Sequence, residues 1–377
     1  MLRAKLYNNP MLPVRPNLVK FLCAPQILTH QQSRRYYQSI SDNMRVLLTG
    51  GSGFIAAHCV DYLLQHGHSV VFTVRSDEKG QKILKNHPDQ PKSKLSYVIV
   101  GDIAKEDAFD EAVKSDPPFE GVLHTASPFH FNVTDPKKDL LDPAIIGTTG
   151  ILKAVKKYAP TVKRIVITSS FAAILNATKH EKIYSEKNWN PITEEEAVQN
   201  PANAYRASKT FAERAAWEFV DKEKPNFDIA TINPPLVLGP VVHYLNSLDA
   251  INTSNERVSN MIQGRTKESG LPPTGTFIWV DVRDVALAHV RALEIPEAGG
   301  KRFFVTAGHY SNAEIAEIIK KEFPDLADRL PAEIKSDKPA DIYDIDNSRS
   351  KQVLRLKYRT LEESIKDTVK SLLEVGA

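Results

Sequence analysis

The stretch Val46-Leu47-Leu48-Thr49-Gly50-Gly51-Ser52-Gly53-Phe54-Ile55-Ala56 restricts the fold of this chain more than any other. A short apolar run breaks on glycines and passes at once into a helical pattern, so a strand and a helix are joined by a tight turn. Glycine suits such a turn because the backbone can then approach a ligand, and the helix behind it offers unpaired N–H groups to negative charge. The spacing reads in two ways, Gly51-x-Gly53-x-x-Ala56 or Gly50-x-x-Gly53-x-x-Ala56. Both put a pyrophosphate at the same place, against Gly50, Gly51, Ser52, Gly53, Phe54 and Ile55. A lone glycine loop is often only a strand-to-helix turn, so the rest of the chain has to support the reading.

The support begins with rhythm. β-Branched runs at Val46–Thr49, Ser69–Val74, Ser96–Val100, Gly121–Thr125, Arg164–Thr168 and Asp228–Ile232 alternate with helical patterns at Phe54–His66, Lys79–Asn86, Lys105–Ser115, Lys138–Tyr158 and Asn203–Glu223. Alternation of this kind predicts βαβ units and an α/β, doubly wound parallel sheet with its ligand at the carboxyl ends of the strands. After Asn233 the rhythm fails. Pro234–Pro273 is irregular, and an apolar run at Thr276–Val280, a helix at Val282–Leu293, a strand at Arg302–Thr306 and helices at Ala313–Glu322 and Leu361–Leu373 follow. We read residues 234–377 as supplying most of a smaller C-terminal substrate lobe, interleaved with the sheet, within one catalytic unit over 44–377.

Residues 1–43 are of another character. They hold six basic residues against one acidic residue, Asp42, and are broken by Pro10, Pro13, Pro16 and Pro25. Such a segment reads either as a mitochondrial transit peptide or as an extension ahead of a start at Met44. Without it the chain carries 43 basic and 45 acidic residues, a balance that offers no case for nucleic-acid binding. No apolar run is long enough to span a membrane, and Cys23 and Cys59 form neither a disulfide framework nor a metal-ligand spacing. A reducing compartment, the cytoplasm in the first instance, is the expectation.

The end of the second strand decides between cofactors. Arg75 stands 25 residues beyond Gly50, where an enzyme using NAD has an acid for the ribose 2′-hydroxyl and a 2′-phosphate requires a cation. Arg75, with Lys79 one helical turn on, favours NADPH; Asp77 and Glu78 are the countervailing charges. Asp102 and Ile103, after the third strand, offer a carboxylate and an apolar contact for the adenine side. His124-Thr125-Ala126-Ser127 leaves small residues beside the same cleft.

Tyr205 and Lys209 fall at i and i+4 of a helix and so share one face. A neighbouring ammonium favours the phenolate and makes Tyr205 a better proton donor. Thr168-Ser169-Ser170, at a strand end, delivers a hydroxyl to the same rim.

Thr49-Gly50-x-x-Gly53-Phe54-Ile55-Ala56, Thr168-Ser169-Ser170 and Tyr205-x-x-x-Lys209 resemble the extended short-chain dehydrogenases/reductases, a Rossmann-type family. His124-Thr125-Ala126-Ser127-Pro128-Phe129, Trp189-Asn190-Pro191 and Val280-Asp281-Val282-Arg283-Asp284-Val285-Ala286 narrow the resemblance to fungal NADPH-dependent methylglyoxal reductases, also described as 3-methylbutanal reductases, with plant dihydroflavonol reductases more distant. The likeness covers 44–377. It implies that Ser170 orients a substrate carbonyl, that Tyr205 donates a proton, and that Lys209 lowers the tyrosine pKa and holds the nicotinamide ribose. It also implies that Val237 and Ser254 contact the cofactor. One departure stands out: many such enzymes carry an Asn in the helix before the Ser strand, and residues 135–158 contain none. The expected activity is reduction of small aldehydes, α-ketoaldehydes or ketones by a monomer or homodimer. Phe129, Phe131, Phe171 and Leu236 are candidates for an apolar substrate pocket. A sugar-nucleotide epimerase/dehydratase and a non-catalytic NADP-sensing protein are the alternatives.

Overall fold

The computed structural model describes residues 43–127, 135–242, 248 and 251–376. Seven parallel strands form the main sheet: β1 (Arg45–Thr49), β2 (Ser69–Val74), β3 (Leu95–Ile99), β4 (Gly121–His124), β5 (Arg164–Thr168), β7 (Asp228–Asn233) and β10 (Lys301–Phe304). Their order is β10-β7-β5-β4-β1-β2-β3. The chain thus winds outward from β1 in both directions, and the crevice at the reversal lies where β1 and β4 pair, with Thr49 opposite His124.

Near-continuous apolar strands demand cover on both faces. One face is covered by α1 (Phe54–Gln65) and α6 (Val282–Glu294), which pack on each other over a core that includes Val46, Leu48, Phe72 and Leu123. On the opposite face α3 (Asp142–Tyr158) and α4 (Pro201–Glu223) pack together over Leu47, Val122, Ile165 and Ile167. Helix α2 (Asp77–Lys85) lies against β2 and β3. Helix α4 begins where Asn200 accepts from the Asn203 N–H at 2.8 Å and Pro201 follows, a cap that pins the helix carrying Tyr205 and Lys209.

A smaller sheet, β11 (Gly308–His309), β9 (Ile278–Asp281) and β8 (Leu236–Leu238), is surrounded by α5 (Thr253–Ile262), α7 (Asn312–Glu322) and α8 (Leu361–Glu374) around their own core. A third pair joins β6 (Ile183–Tyr184) to β12 (Asp344–Ile345). The C-terminal part is therefore divided: α6 and β10 return to the main sheet, and the remainder builds the second layer.

Two expectations fail locally. Lys105–Ser115 is a run of turns: Ala108, Asp110 and Lys114 donate to the carbonyls three residues earlier, while Phe109, Ala112 and Val113 are buried. Its apolar residues are anchored to the sheet without a full helical ladder. Within the irregular stretch 234–273, β8 and α5 are regular, their pattern being too short or too polar to stand out.

Candidate active site

The turn after β1 is shaped by close approach. Gly50 sits at φ +76°, and a Cβ there would lie 2.9 Å from the Cα of Ala126, in the loop after β4. Its N–H donates to Thr73 Oγ1 at 3.0 Å, and the Gly51 N–H donates to the Thr73 carbonyl at 2.8 Å. The Gly53 N–H closes the turn on the Gly50 carbonyl at 2.9 Å. Helix α1 then starts with no side-chain cap and no acid in its first turn. Its terminal N–H groups are thus kept for an anion, with Ser52, Phe54 and Ile55 around them.

Arg75 follows β2 and Lys79 lies in the first turn of α2, both exposed. The acids beside them are engaged elsewhere: Asp77 accepts from the Tyr97 hydroxyl, and Glu78 pairs with Lys82. The two cations therefore dominate this edge. Asp102 is exposed and accepts from the Ala104 N–H at 2.9 Å, while Ile103 lies against α3 at Gly147. Val237 is buried on β8, and Ser254 is half-buried in the first turn of α5. The glycine turn, Arg75, Lys79, Asp102 and Ile103 all follow carboxyl ends of the main sheet; Val237 and Ser254 come from the smaller layer.

Ser170 stands just past β5, where its Oγ accepts from the Ala172 N–H at 3.1 Å and shares a hydrogen bond with the Tyr205 hydroxyl. Burial pushes Tyr205 above the usual phenol range, and the Ser170 bond opposes that rise. One turn further along α4, the Lys209 Nζ donates to Ser127 Oγ at 2.8 Å, and burial lowers Lys209 to about 8. The expected lowering of the tyrosine pKa by Lys209 is thus not what this structure shows, because the ammonium is turned to the β4 loop and burial governs the phenol.

Residues that sequence reasoning passed over complete the rim. Ser127 was visible only as a small residue, yet it is the partner of Lys209, 82 positions away. His124 is buried, with Nδ1 2.9 Å from Thr49 Oγ1, and burial followed by the charge of Lys209 lowers it to about 3. Phe171 is not a pocket residue: it is 2% exposed, stacks on Phe304 at 5.3 Å and meets Tyr184 edge-on. Leu236 packs against the core of the smaller layer, and Phe129 and Phe131 lie outside the described residues. Among the described residues no cluster of His, Cys, Asp or Glu could hold a metal ion, and no helix is long and apolar enough to cross a membrane.

Sheet order, glycine turn and the Ser170, Tyr205 and Lys209 rim define a Rossmann-type dinucleotide-binding fold of the extended short-chain dehydrogenase/reductase class. The chain belongs to the NAD dependent epimerase/dehydratase family, whose profile matches residues 46–307. It is 51% identical over 331 residues to a ketoreductase of Aspergillus niger, covering 88% of this chain and 98% of that one. An NADPH-dependent methylglyoxal reductase of Saccharomyces cerevisiae is 38% identical over 346 residues, 88% of this chain and 98% of its own. Among solved structures, Gre2 of Candida albicans in complex with NADPH superposes with a TM-score of 0.83 at 37% identity, covering 89% and 100% of the two chains.

Proposed function

We propose that the protein is an NADPH-dependent carbonyl reductase that converts small aldehydes, α-ketoaldehydes such as methylglyoxal, or ketones into alcohols. The observation that carries the reading is the hydrogen-bonded Ser170 and Tyr205 pair, with Lys209 one turn away on the same helix. The uncapped α1 terminus and the glycine turn fit a pyrophosphate, and Arg75 with Lys79 fits a 2′-phosphate. Bound there, NADPH supplies the hydride that reduces the carbonyl carbon. The family and the reductase relatives support the same reading.

Each side chain then has a defined task. Ser170 donates to the carbonyl oxygen and fixes its direction toward Tyr205. Tyr205 holds its proton at neutral pH, as burial requires, and gives it up to the far more basic alkoxide that develops. Lys209 is mainly ammonium below about pH 8, the form that would hold the nicotinamide ribose, and it loses that charge as pH rises through about 8.

The family also contains epimerases, which share the Tyr and Lys, but an exposed Arg75 in place of an acid speaks against retained NAD. A purely NADP-sensing protein would have no use for the Ser170, Tyr205 and Lys209 rim. NADPH oxidation with methylglyoxal, isovaleraldehyde or a UDP-sugar, run beside an NADPH binding titration, separates the three. Oxidation with the aldehydes is expected. Conversion of the UDP-sugar without net cofactor loss, or binding without any turnover, would overturn the proposal. The reductase is read as a monomer or homodimer of the cytoplasm, with mitochondrial import the alternative if residues 1–43 act as a transit peptide.

A further inference from the structure

The edge that would face a 2′-phosphate carries charges of both signs within a few residues: Arg75, Asp77, Glu78 and Lys79. The acids work against a phosphate there unless they are held away from the cations. Glu78 is drawn to Lys82, one turn along α2. Asp77 is held by a different element: the Tyr97 hydroxyl on β3 donates to its Oδ1 and accepts from Gln81 Nε2 at 2.7 Å. Among the described residues the Asp77 carboxylate has no other hydrogen-bond or ion-pair partner.

The Tyr97 ring is fixed from two sides. It lies 5.7 Å from the Phe72 ring on β2, and a Cβ at Gly80 would fall 2.5 Å from it, so the ring rests against bare backbone of α2. Phe72 in turn backs the glycine turn, where a Cβ at Gly51 would fall 2.7 Å from its ring. The row Gly51, Phe72, Tyr97 and Gly80 thus sets the start of α2 against the turn that fits the pyrophosphate. Asp77, Gly80 and Gln81 stand at i, i+3 and i+4 and share the helix face that meets Tyr97. Lys79 comes two residues after Asp77 and so lies off that face. The hydrogen bond to Asp77 holds the phenol above its ordinary range, so the hydroxyl keeps the proton that it donates.

We infer that Tyr97 is a positioning residue that sets the preference for NADPH over NADH: its hydroxyl retains the Asp77 carboxylate on the β3 side of α2 and leaves Arg75 and Lys79 to the 2′-phosphate. The inference rests on the NADPH reading of those two cations. A carboxylate released from Tyr97 is flanked in the chain by Arg75 and Lys79 and pairs with them in competition with the phosphate. NADH brings no phosphate to this edge and is indifferent to the change. Because Arg75, Asp77 and Lys79 are all exposed, the effect is modest and is screened by salt.

The test is a titration of NADPH and of NADH into wild type, Tyr97→Phe and the double variant Tyr97→Phe with Asp77→Asn, at low and at high ionic strength. Tyr97→Phe keeps the ring against Phe72 and Gly80 and removes only the hydroxyl. It is expected to weaken NADPH binding about threefold at low ionic strength and to leave NADH binding unchanged. Added salt narrows that difference. Asp77→Asn in the same background removes the released charge and restores NADPH affinity, which a merely structural role for Tyr97 would not produce. Unchanged NADPH binding in Tyr97→Phe, equal losses for both cofactors, or no recovery in the double variant would each overturn the inference. A wild type that binds NADH as tightly as NADPH would instead overturn the cofactor reading on which it rests.

Discussion

Lys209 and Glu213 are one helical turn apart on α4, and their surroundings treat them in opposite ways. Glu213 is saturated: its two oxygens accept from Ser169, Trp217, Thr231, Asn233 and Arg302, with Arg302 Nε at 2.6 Å. Arg302 in turn donates to the carbonyls of Glu186 and Asn188 and lies 3.6 Å over the Trp189 ring. Among the described residues Lys209 has one hydrogen-bond partner, Ser127, and a cavity beside it. A buried charge with every valence answered by protein locks the fold, whereas one left short of partners is held ready for a ligand. The same contrast holds at the cofactor edge, where Glu78 is paired with Lys82 and Arg75 and Lys79 stay open to solvent.

This division can be broken by substitution. Arg302→Met strands the Glu213 carboxylate and should cost about 3 kcal/mol of folding stability in a urea titration, while kcat measured below the transition changes little. A stable variant with poor turnover would place the network in catalysis and dissolve the contrast. Arg75→Glu probes the open charges. It should weaken NADPH binding about tenfold and leave NADH binding almost unaffected, because only the former carries the 2′-phosphate. Equal losses for both cofactors would show that Arg75 reads no phosphate.

Much of this is legible in the sequence. Val46–Thr49, Ser69–Val74 and Arg164–Thr168 are mostly apolar and rich in β-branched residues, as strands covered on both faces require, and the glycines after Thr49 mark the ligand end of the sheet. The i, i+4 spacing of Tyr205 and Lys209 survived because helix geometry is local. What escaped was not local. Ser127 meets Lys209 across 82 residues, and His124 is tied to Thr49 across 75, contacts that leave no periodic trace. Phe171 misled because a large apolar side chain beside a catalytic serine can face either pocket or core, and stacking on Phe304 settles it for the core. Lys105–Ser115 has helical composition, but its backbone closes three-residue turns that anchor Phe109.

The central claim is that Tyr205 supplies the proton to a carbonyl reduced with NADPH. Its most direct test is Tyr205→Phe, which keeps the ring and removes only the hydroxyl bonded to Ser170. NADPH oxidation with methylglyoxal should fall by about 10²- to 10⁴-fold while NADPH binding, followed by titration, stays as in wild type. Full turnover in that variant would contradict the account.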